Sequence, residues 1–357
     1  MGKVRVCIIG AGNISNTRHI PALLKNKEVE IVGVISDELK KIKRTIANHK
    51  FLKEKNTFLI SSNQDIFMQL KKCQWFMETV DAVVIGTPPK QHFLATKACL
   101  NLNKHVLVEK PMMMSVSECE EVKKIAEEKK LILNVMHSFQ FSNGMNELFE
   151  RYNVGEFGKL KSILELQLTN RDRRLPIWYN DLPLGLFYDE AAHFFYSARK
   201  FGGKLKVINA SAVFNKQEEN TPCFLQVQMK AGEIPVQMYM NFNSPICEWG
   251  LILLCEKKIA IYDYFKDILI VMKNDQLHLA KNVLETSLSF SFGFWKGFIK
   301  NGFKMISNNL LYGHDICMEK FICSIQNGTS CFELSAELGQ EVVEAMNEVV
   351  RYAKERN

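Results

Sequence analysis

An unbroken apolar run, Val106-Leu107-Val108, ends abruptly in Glu109-Lys110-Pro111. Aliphatic and β-branched residues without alternation suit a parallel strand covered on both faces, and open α/β sheets bind ligands beyond the carboxyl ends of such strands. Lys110 is therefore a candidate for chemistry. Pro111 fixes its own φ and disfavours helix at the residue before it, so the Lys110 backbone is expected to be extended or in a turn. A second pair, Asp189 and His193, lies four residues apart on an expected helix over 185–201. That spacing puts both on one face, where the carboxylate orients the imidazole and the imidazole handles a proton; a satisfied pair near a surface has the same spacing. The loop 170–179 carries Arg171, Arg173 and Arg174 with Trp178 and Tyr179. Guanidinium forks bind phosphate or carboxylate, and flat aromatic faces pack on sugar rings. Arg173, Arg174 and Trp178 thus read as a substrate site for an anionic sugar, with an exposed basic loop at a subunit interface as the other reading.

These groups need elements to position them. Residues 3–10 read as a buried strand leading into Gly10-Ala11-Gly12-Asn13-Ile14-Ser15 and then a helical pattern. Strand, tight turn and helix are the context of a dinucleotide-binding fingerprint: Gly10 makes the turn, and Gly12 lets backbone approach a pyrophosphate at the helix N-terminus. Ser15 replaces the third glycine, a packing position where a small residue substitutes. The next strand, 30–35, closes in Ser36-Asp37, the place of the acid that holds an adenosine ribose. Ser36 leaves room for a 2′-phosphate and Asp37 repels one, so the cofactor reads as NAD or NADP without a choice between them. Further strands at 57–60, 80–87, 106–108 and 131–136 alternate with helices near 38–50, 64–77, 91–102 and one running to 129, the last capped by Ser115 or Ser117, with Glu118 three residues after Ser115. Alternation over this length predicts a doubly wound parallel sheet.

The run 80–111, VDAVVIGTPPKQHFLATKACLNLNKHVLVEKP, together with Gly10-Ala11-Gly12-Asn13-Ile14 and Arg18-His19-Ile20-Pro21-Ala22-Leu23, resembles the glucose-fructose oxidoreductase and inositol dehydrogenase (Gfo/Idh/MocA-type) family. The likeness spans most of 3–136, with Thr87-Pro88, His92 and Glu109-Lys110-Pro111 in the family's order and spacing. It implies an N-terminal Rossmann domain and a C-terminal α+β domain on a large, open, mainly antiparallel sheet that often mediates oligomer contacts. It also implies hydride transfer between nicotinamide and a carbinol or keto carbon of a sugar, sugar nucleotide or cyclitol. Carried over residue by residue, it places Gly10, Gly12, Asn13, Ile14, Ser36, Asp37, Thr87, Pro88, His92, Glu109 and Lys110 at the cofactor, and Lys110, Asp189 and His193 at the chemistry. Two departures bear on substrate identity. The turn before the second pair is Pro183-Leu184-Gly185-Leu186-Phe187-Tyr188 rather than a glycine cluster, and Gln140 stands where many relatives carry arginine. His137, at a strand end, reads either as a ligand contact or as a hydrogen-bonded structural histidine.

The remaining signals bound the answer. With 357 residues, 47% hydrophobic and 24% charged, the chain has the composition of an ordinary globular protein, expected to divide into 1–125 and 126–357. A net charge of +7 without any block of like charge gives no nucleic-acid arm. Ten scattered cysteines, without C-x-x-C or zinc spacing, read as small buried hydrophobes in a reducing compartment, and no metal site is expected. A strand at the N-terminus and no run of eighteen apolar residues make cytoplasmic the expected location. A homo-oligomer, dimer or tetramer, is expected. The stretch 290–312 interleaves seven aromatic residues, among them Phe292, Trp295 and Phe303, with Lys296, Lys300 and Lys304. Packing of its aromatic face on the protein's own sheet is expected there, rather than contact with a membrane. The function read from all this is an NAD(P)-dependent oxidoreductase acting on CH-OH groups. Two other readings share the fold: a dinucleotide-dependent sensor without turnover, and a dehydrogenase of a non-sugar carbonyl.

Overall fold

Six short strands form the first sheet of the computed structural model, which describes residues 2–52, 56–61, 64–171, 173, 177–215, 220–307 and 310–355. They are β1 (Val4–Ile9), β2 (Val29–Ser36), β3 (Thr57–Leu59), β4 (Ala82–Ile85), β5 (His105–Val108) and β6 (Leu133–Val135). Every pair is parallel and the order is β3-β2-β1-β4-β5-β6. The central strands are apolar on both faces because helices cover both sides, and every residue of β4 is buried. Strand order reverses between β1 and β4, so the chain diverges there and leaves a crevice at the carboxyl ends. The helix Val116–Glu128 starts as its sequence predicts. Ser115 Oγ accepts the Glu118 amide at 3.3 Å, and Glu118 accepts the Ser115 amide at 3.2 Å.

The second sheet has seven strands: β7 (Leu160–Leu168), β8 (Leu205–Val213), β9 (Phe224–Ala231), β10 (Ile234–Asn241), β11 (Glu248–Cys255), β12 (Lys258–Asp263) and β13 (Ile268–Lys273). Their order is β13-β12-β11-β7-β10-β9-β8, and only β7 and β10 run parallel. Burial alternates residue by residue in β8, β9 and β10, the mark of a sheet packed on one face and open on the other. The open, mainly antiparallel sheet read from the sequence is therefore present.

Contacts divide the chain into two compact units, one of Met1–Ser138 with His314–Glu344, the other of Phe139–Gly313 with Ala345–Asn357. A break after 125 would cut the uninterrupted helix Val116–Glu128 and strand β6 away from the sheet it completes. The returning segment supplies Ala336 and Val343 to the core that holds Val83, Val106 and Val135.

Three local expectations change. The helix expected over 185–201 is two pieces, Leu186–Glu190 and Ala192–Gly202, because Phe194 donates to the Ala191 carbonyl three residues back and tightens the turn. Of the ten cysteines, all free, five are buried, four are partly exposed and Cys323 is exposed; burial pushes the Cys99 and Cys119 thiols up to about 12. The basic aromatic stretch belongs to a 27-residue helix, Ala280–Ile306. It meets β13 closely at glycine, since a Cβ on Gly297 would stand 2.8 Å from Ile268 Cγ2. Phe292, Trp295 and Phe303 are exposed.

Candidate functional site

The first unit gathers its functional groups where β1 and β4 diverge. Gly10 has φ +100°, and a Cβ there would lie 2.7 Å from the Gly86 backbone, so turn and close approach both require glycine. Gly12 differs. Its nearest neighbour to an added Cβ is Gly86 O at 3.9 Å, so nothing within the chain forbids a side chain there. Space kept open over a helix N-terminus fits a phosphate-bearing ligand. Ser15 is fully buried, and its hydroxyl donates to Gly10 O at 2.5 Å, so the replaced third glycine still packs helix to strand and ties down the turn. Asn13 and Ile14 open the helix, which widens into a π-turn over Ser15–His19. Asn16, which the sequence reading passed over, donates to Gly12 O at 2.8 Å and Thr45 Oγ1 at 2.9 Å. A buried amide one helical turn after the glycines is the signal that marks it.

A cavity of about 720 Å³ opens beside this turn, lined among others by Gly10, Ser36, Asp37, Thr87 and Lys90. Ser36 is buried, whereas Asp37 is exposed and stands 3.5 Å from Lys41 Nζ. Thr87 Oγ1 is buried without a hydrogen-bond partner, an unmet polar group at the cavity wall. An open glycine, an unmatched hydroxyl and a polar strand end suit a dinucleotide.

Glu109 follows β5 and is buried. It accepts from His19 Nε2 at 2.8 Å and from the Lys110 amide at 3.1 Å, and His314 Nε2 stands 3.9 Å away. Burial acts hardest on its carboxyl and favours the neutral form, yet the His19 hydrogen bond and the charges of His19, His314 and Lys110 together bring it down to about 2. His19, Glu109 and His314 have ligand atoms within 4.8 Å of one another, but the carboxylate is already engaged by a ring nitrogen and a backbone amide. The three form a buried strut next to Lys110, whose peptide bond to Pro111 is cis. His92 is fully buried, with Nδ1 2.8 Å from Pro111 O and Nε2 2.9 Å from Thr87 O. Burial holds its pKa below the ordinary histidine value against those two carbonyls. With both nitrogens facing backbone, His92 shapes the Thr87-Pro88 turn instead of offering a group to a ligand.

His137 is likewise fully buried, and Nδ1 lies 3.2 Å from the Glu333 carbonyl. Burial lowers its pKa to about 4, against the Glu333 carbonyl and the Glu109 charge. Of the two readings of His137, this hydrogen bond fits the structural one.

In the second unit, His193 sits in an aromatic box. The Phe139 ring is edge-on at 4.6 Å between centroids, and Trp249 lies at 5.7 Å. Tyr196 sets the ring, its hydroxyl 2.6 Å from Nδ1 while accepting the Phe139 amide at 3.1 Å. The orienting group that the sequence assigned to Asp189 is therefore supplied at least in part by Tyr196, three residues on and on the same helical face. Asp189, half-buried, lies in the preceding short helix, Leu186–Glu190.

The arginine loop is largely spent internally. Arg171 donates to the carbonyls of Phe242, Thr221 and Pro222. Arg173 pairs with Glu190, a buried carboxylate that also accepts from Thr169 Oγ1 at 3.0 Å and Gln167 Nε2 at 2.5 Å. Arg173 serves a buried acid and not an anionic substrate, because an unpaired carboxylate there would be costly. Arg174 lies outside the described residues. Trp178 is half-buried in the turn Ile177–Asp181.

Residues 4–137 match the family described as oxidoreductase, NAD-binding Rossmann fold. The chain is 23% identical over 241 residues to a scyllo-inositol 2-dehydrogenase (NADP(+)) of Bacillus subtilis, covering 66% of this chain and 62% of that one. It is 32% identical over 117 residues to a 1-carboxy-3-chloro-3,4-dihydroxycyclohexa-1,5-diene dehydrogenase of Comamonas testosteroni, over 32% of this chain and 30% of that one. The chain thus spans under two thirds of the length of these curated relatives. A 3-ketoreductase variant from Actinomadura kijaniata, solved with TDP-benzene and NADP, superimposes with a TM-score of 0.76 over 99% of this chain and 98% of that one. At 16% identity that likeness carries the fold alone.

Proposed function

Because the chain belongs, through residues 4–137, to the NAD-binding Rossmann oxidoreductase family, we propose that it is an NAD- or NADP-dependent dehydrogenase or reductase. Its substrate would be a carbinol or keto carbon of a sugar, sugar nucleotide or cyclitol. The observation that carries this reading is the crevice of the first unit: Gly12 open to an added atom, Thr87 Oγ1 unmatched, and Lys110 at the end of β5 next to the Glu109 strut. Gly10, Gly12, Asn13, Ile14, Ser36, Asp37 and Thr87 would hold the dinucleotide, with Pro88 and His92 shaping the turn. Bound there, nicotinamide supplies the acceptor or donor of hydride.

Lys110, Asp189 and His193 are the catalytic set of this proposal. In the oxidative direction His193 takes the hydroxyl proton on Nε2, since Nδ1 faces Tyr196. The Lys110 ammonium polarises the reacting oxygen, and Asp189 supplies negative charge that steadies the cationic partners. Names of curated relatives, an inositol dehydrogenase and a dihydroxycyclohexadiene dehydrogenase, support a hydroxylated ring as substrate. Arg171 and Arg173 are engaged internally, so neither is assigned to an anionic group on the substrate.

Native mass spectrometry of freshly purified protein tests cofactor use, and a panel of cyclitols and sugar nucleotides with NAD or NADP tests turnover. On a substrate so found, Lys110→Ala and His193→Ala should each lose about 10² to 10⁴ in kcat while still binding dinucleotide. Their combined loss should fall well short of the product, as for groups acting on one proton. Near-wild-type turnover in either single variant removes that residue from the mechanism, and dinucleotide binding with no turnover across the panel favours the sensor reading.

A further inference from the structure

The helix Ala280–Ile306 is inside out for a helix packed on a sheet. It meets β13 through small and polar residues: a Cβ on Gly293 would contact Ile270 at 3.4 Å, one on Gly297 would crowd Ile268, and Asn301 Nδ2 donates to Asp267 O at 2.6 Å. Turned away from the sheet are Leu284, Leu288, Phe292, Trp295, Ile299 and Phe303, each 58–78% exposed. Spacings of four, four, three, four and four residues make them one continuous stripe, about 30 Å long at 1.5 Å per residue. Isolated exposed apolar residues are ordinary, but a contiguous stripe of this length marks an interaction surface.

Charge identifies the partner. Lys296, Lys300 and Lys304 stand at successive i, i+4 positions on one flank of the stripe. Glu285 is the single acid between 280 and 306, and among the described residues the counter-charge to this row is Glu147, 3.8 Å from Lys300 Nζ. A second copy of the helix offers three lysines a single acid, Glu285. An anionic bilayer complements both features, taking the aromatic and aliphatic stripe at the acyl boundary and the ammonium row at the phosphates. No helix among the described residues is long and apolar enough to cross a membrane.

We propose that Ala280–Ile306 anchors this protein peripherally to anionic membrane surfaces, Leu288, Phe292 and Trp295 inserting while Lys296, Lys300 and Lys304 bind headgroups. This role is independent of the hydride chemistry.

Flotation of the full chain with vesicles of phosphatidylglycerol in phosphatidylcholine, and of phosphatidylcholine alone, tests it. The protein should float with the anionic vesicles at least ten-fold better, and the preference should shrink as salt rises. A Leu288→Ser, Phe292→Ser, Trp295→Ser variant should lose the association. Lys296→Gln, Lys300→Gln, Lys304→Gln should weaken it by roughly five-fold per lysine, about 10² in all. Melting curves check folding; should the stripe variant not fold, the lysine variant and the salt series decide alone. Wild-type protein that ignores anionic vesicles, or association unchanged by the variants, overturns the proposal. So does a concentration-dependent dimer that the stripe variant dissociates in the absence of vesicle binding, which would give the stripe to a second copy.

Discussion

Tyr196 fixes His193 from the Nδ1 side, and the same hydroxyl accepts the Phe139 amide. Removing it frees the ring to rotate and leaves that buried amide without its acceptor. Tyr196→Phe is therefore expected to lower kcat about ten-fold or more through misplacement of the base, to move the acidic limb of the pH profile, and to leave dinucleotide affinity alone. An unchanged profile and rate would show that the phenol orients nothing. Arg173 makes the opposite point about residues that look functional. Read from the sequence it is a fork for a substrate anion, because its partner, Glu190, lies seventeen positions away beside the more conspicuous Asp189. Burial of Glu190 turns the arginine into a counter-ion. Arg173→Ala should cost about 2 kcal/mol, discounted from a fully buried pair because Arg173 is partly exposed. Adding Glu190→Gln should recover much of the loss, since the acid no longer needs a partner. Urea unfolding of both variants checks this, and a single variant as stable as wild type would return Arg173 to the substrate.

At the scale of elements, legibility followed how local the determining interaction is. The strand, glycine turn and helix at 4–25, the Ser115 capping box and β5 with its Glu109-Lys110-Pro111 ending are set by neighbours in sequence, and they stand where expected. The break at Ala191 and the glycine-first packing of Ala280–Ile306 were hidden. One depends on a single tightened turn, and the other on which face β13 accepts. A buried acid on β7 escaped for the same reason. Glu165 alternates into the packed side of the sheet, where Tyr264 donates to it at 3.2 Å, and burial raises its pKa well above the carboxyl range despite that hydrogen bond. The sign follows from proton binding: the folded chain holds this proton more tightly than the unfolded one. The resulting stability is fully present below the ordinary carboxyl pKa and is lost as pH rises toward the folded value, about 1.4 kcal/mol for each pH unit between the two. Glu165→Gln should match wild type near pH 4 and exceed it increasingly by pH 8. Parallel unfolding curves at both pH values would refute the buried neutral acid.

Across the whole molecule, the order of the chain and the order of the cores part company. The sequence divides naturally after its run of alternating strands and helices, and amphipathic helices near the C-terminus declare that they are buried without declaring where. In the structure 314–344 returns to the first unit. Gly339 fits so closely that an added Cβ would stand 2.7 Å from Val135 Cγ2 and 2.8 Å from Met112 Sδ. Ser330 donates to Asn134 at 2.7 Å, Lys123 donates to Gln340 at 3.0 Å, and His314 adds its charge to the Glu109 strut next to Lys110. A fragment ending at 138 would therefore bare the side of the core that Ala336 and Val343 cover and lose part of the support for Lys110. Expressed alone, 1–138 should bind a hydrophobic dye, melt without a cooperative transition and hold dinucleotide more weakly than the full chain. Joining 314–344 to it through a flexible linker should restore a cooperative melt and most of the affinity. If 1–138 alone melts as sharply as the joined construction, the returning segment is a passenger on a self-sufficient dinucleotide fold.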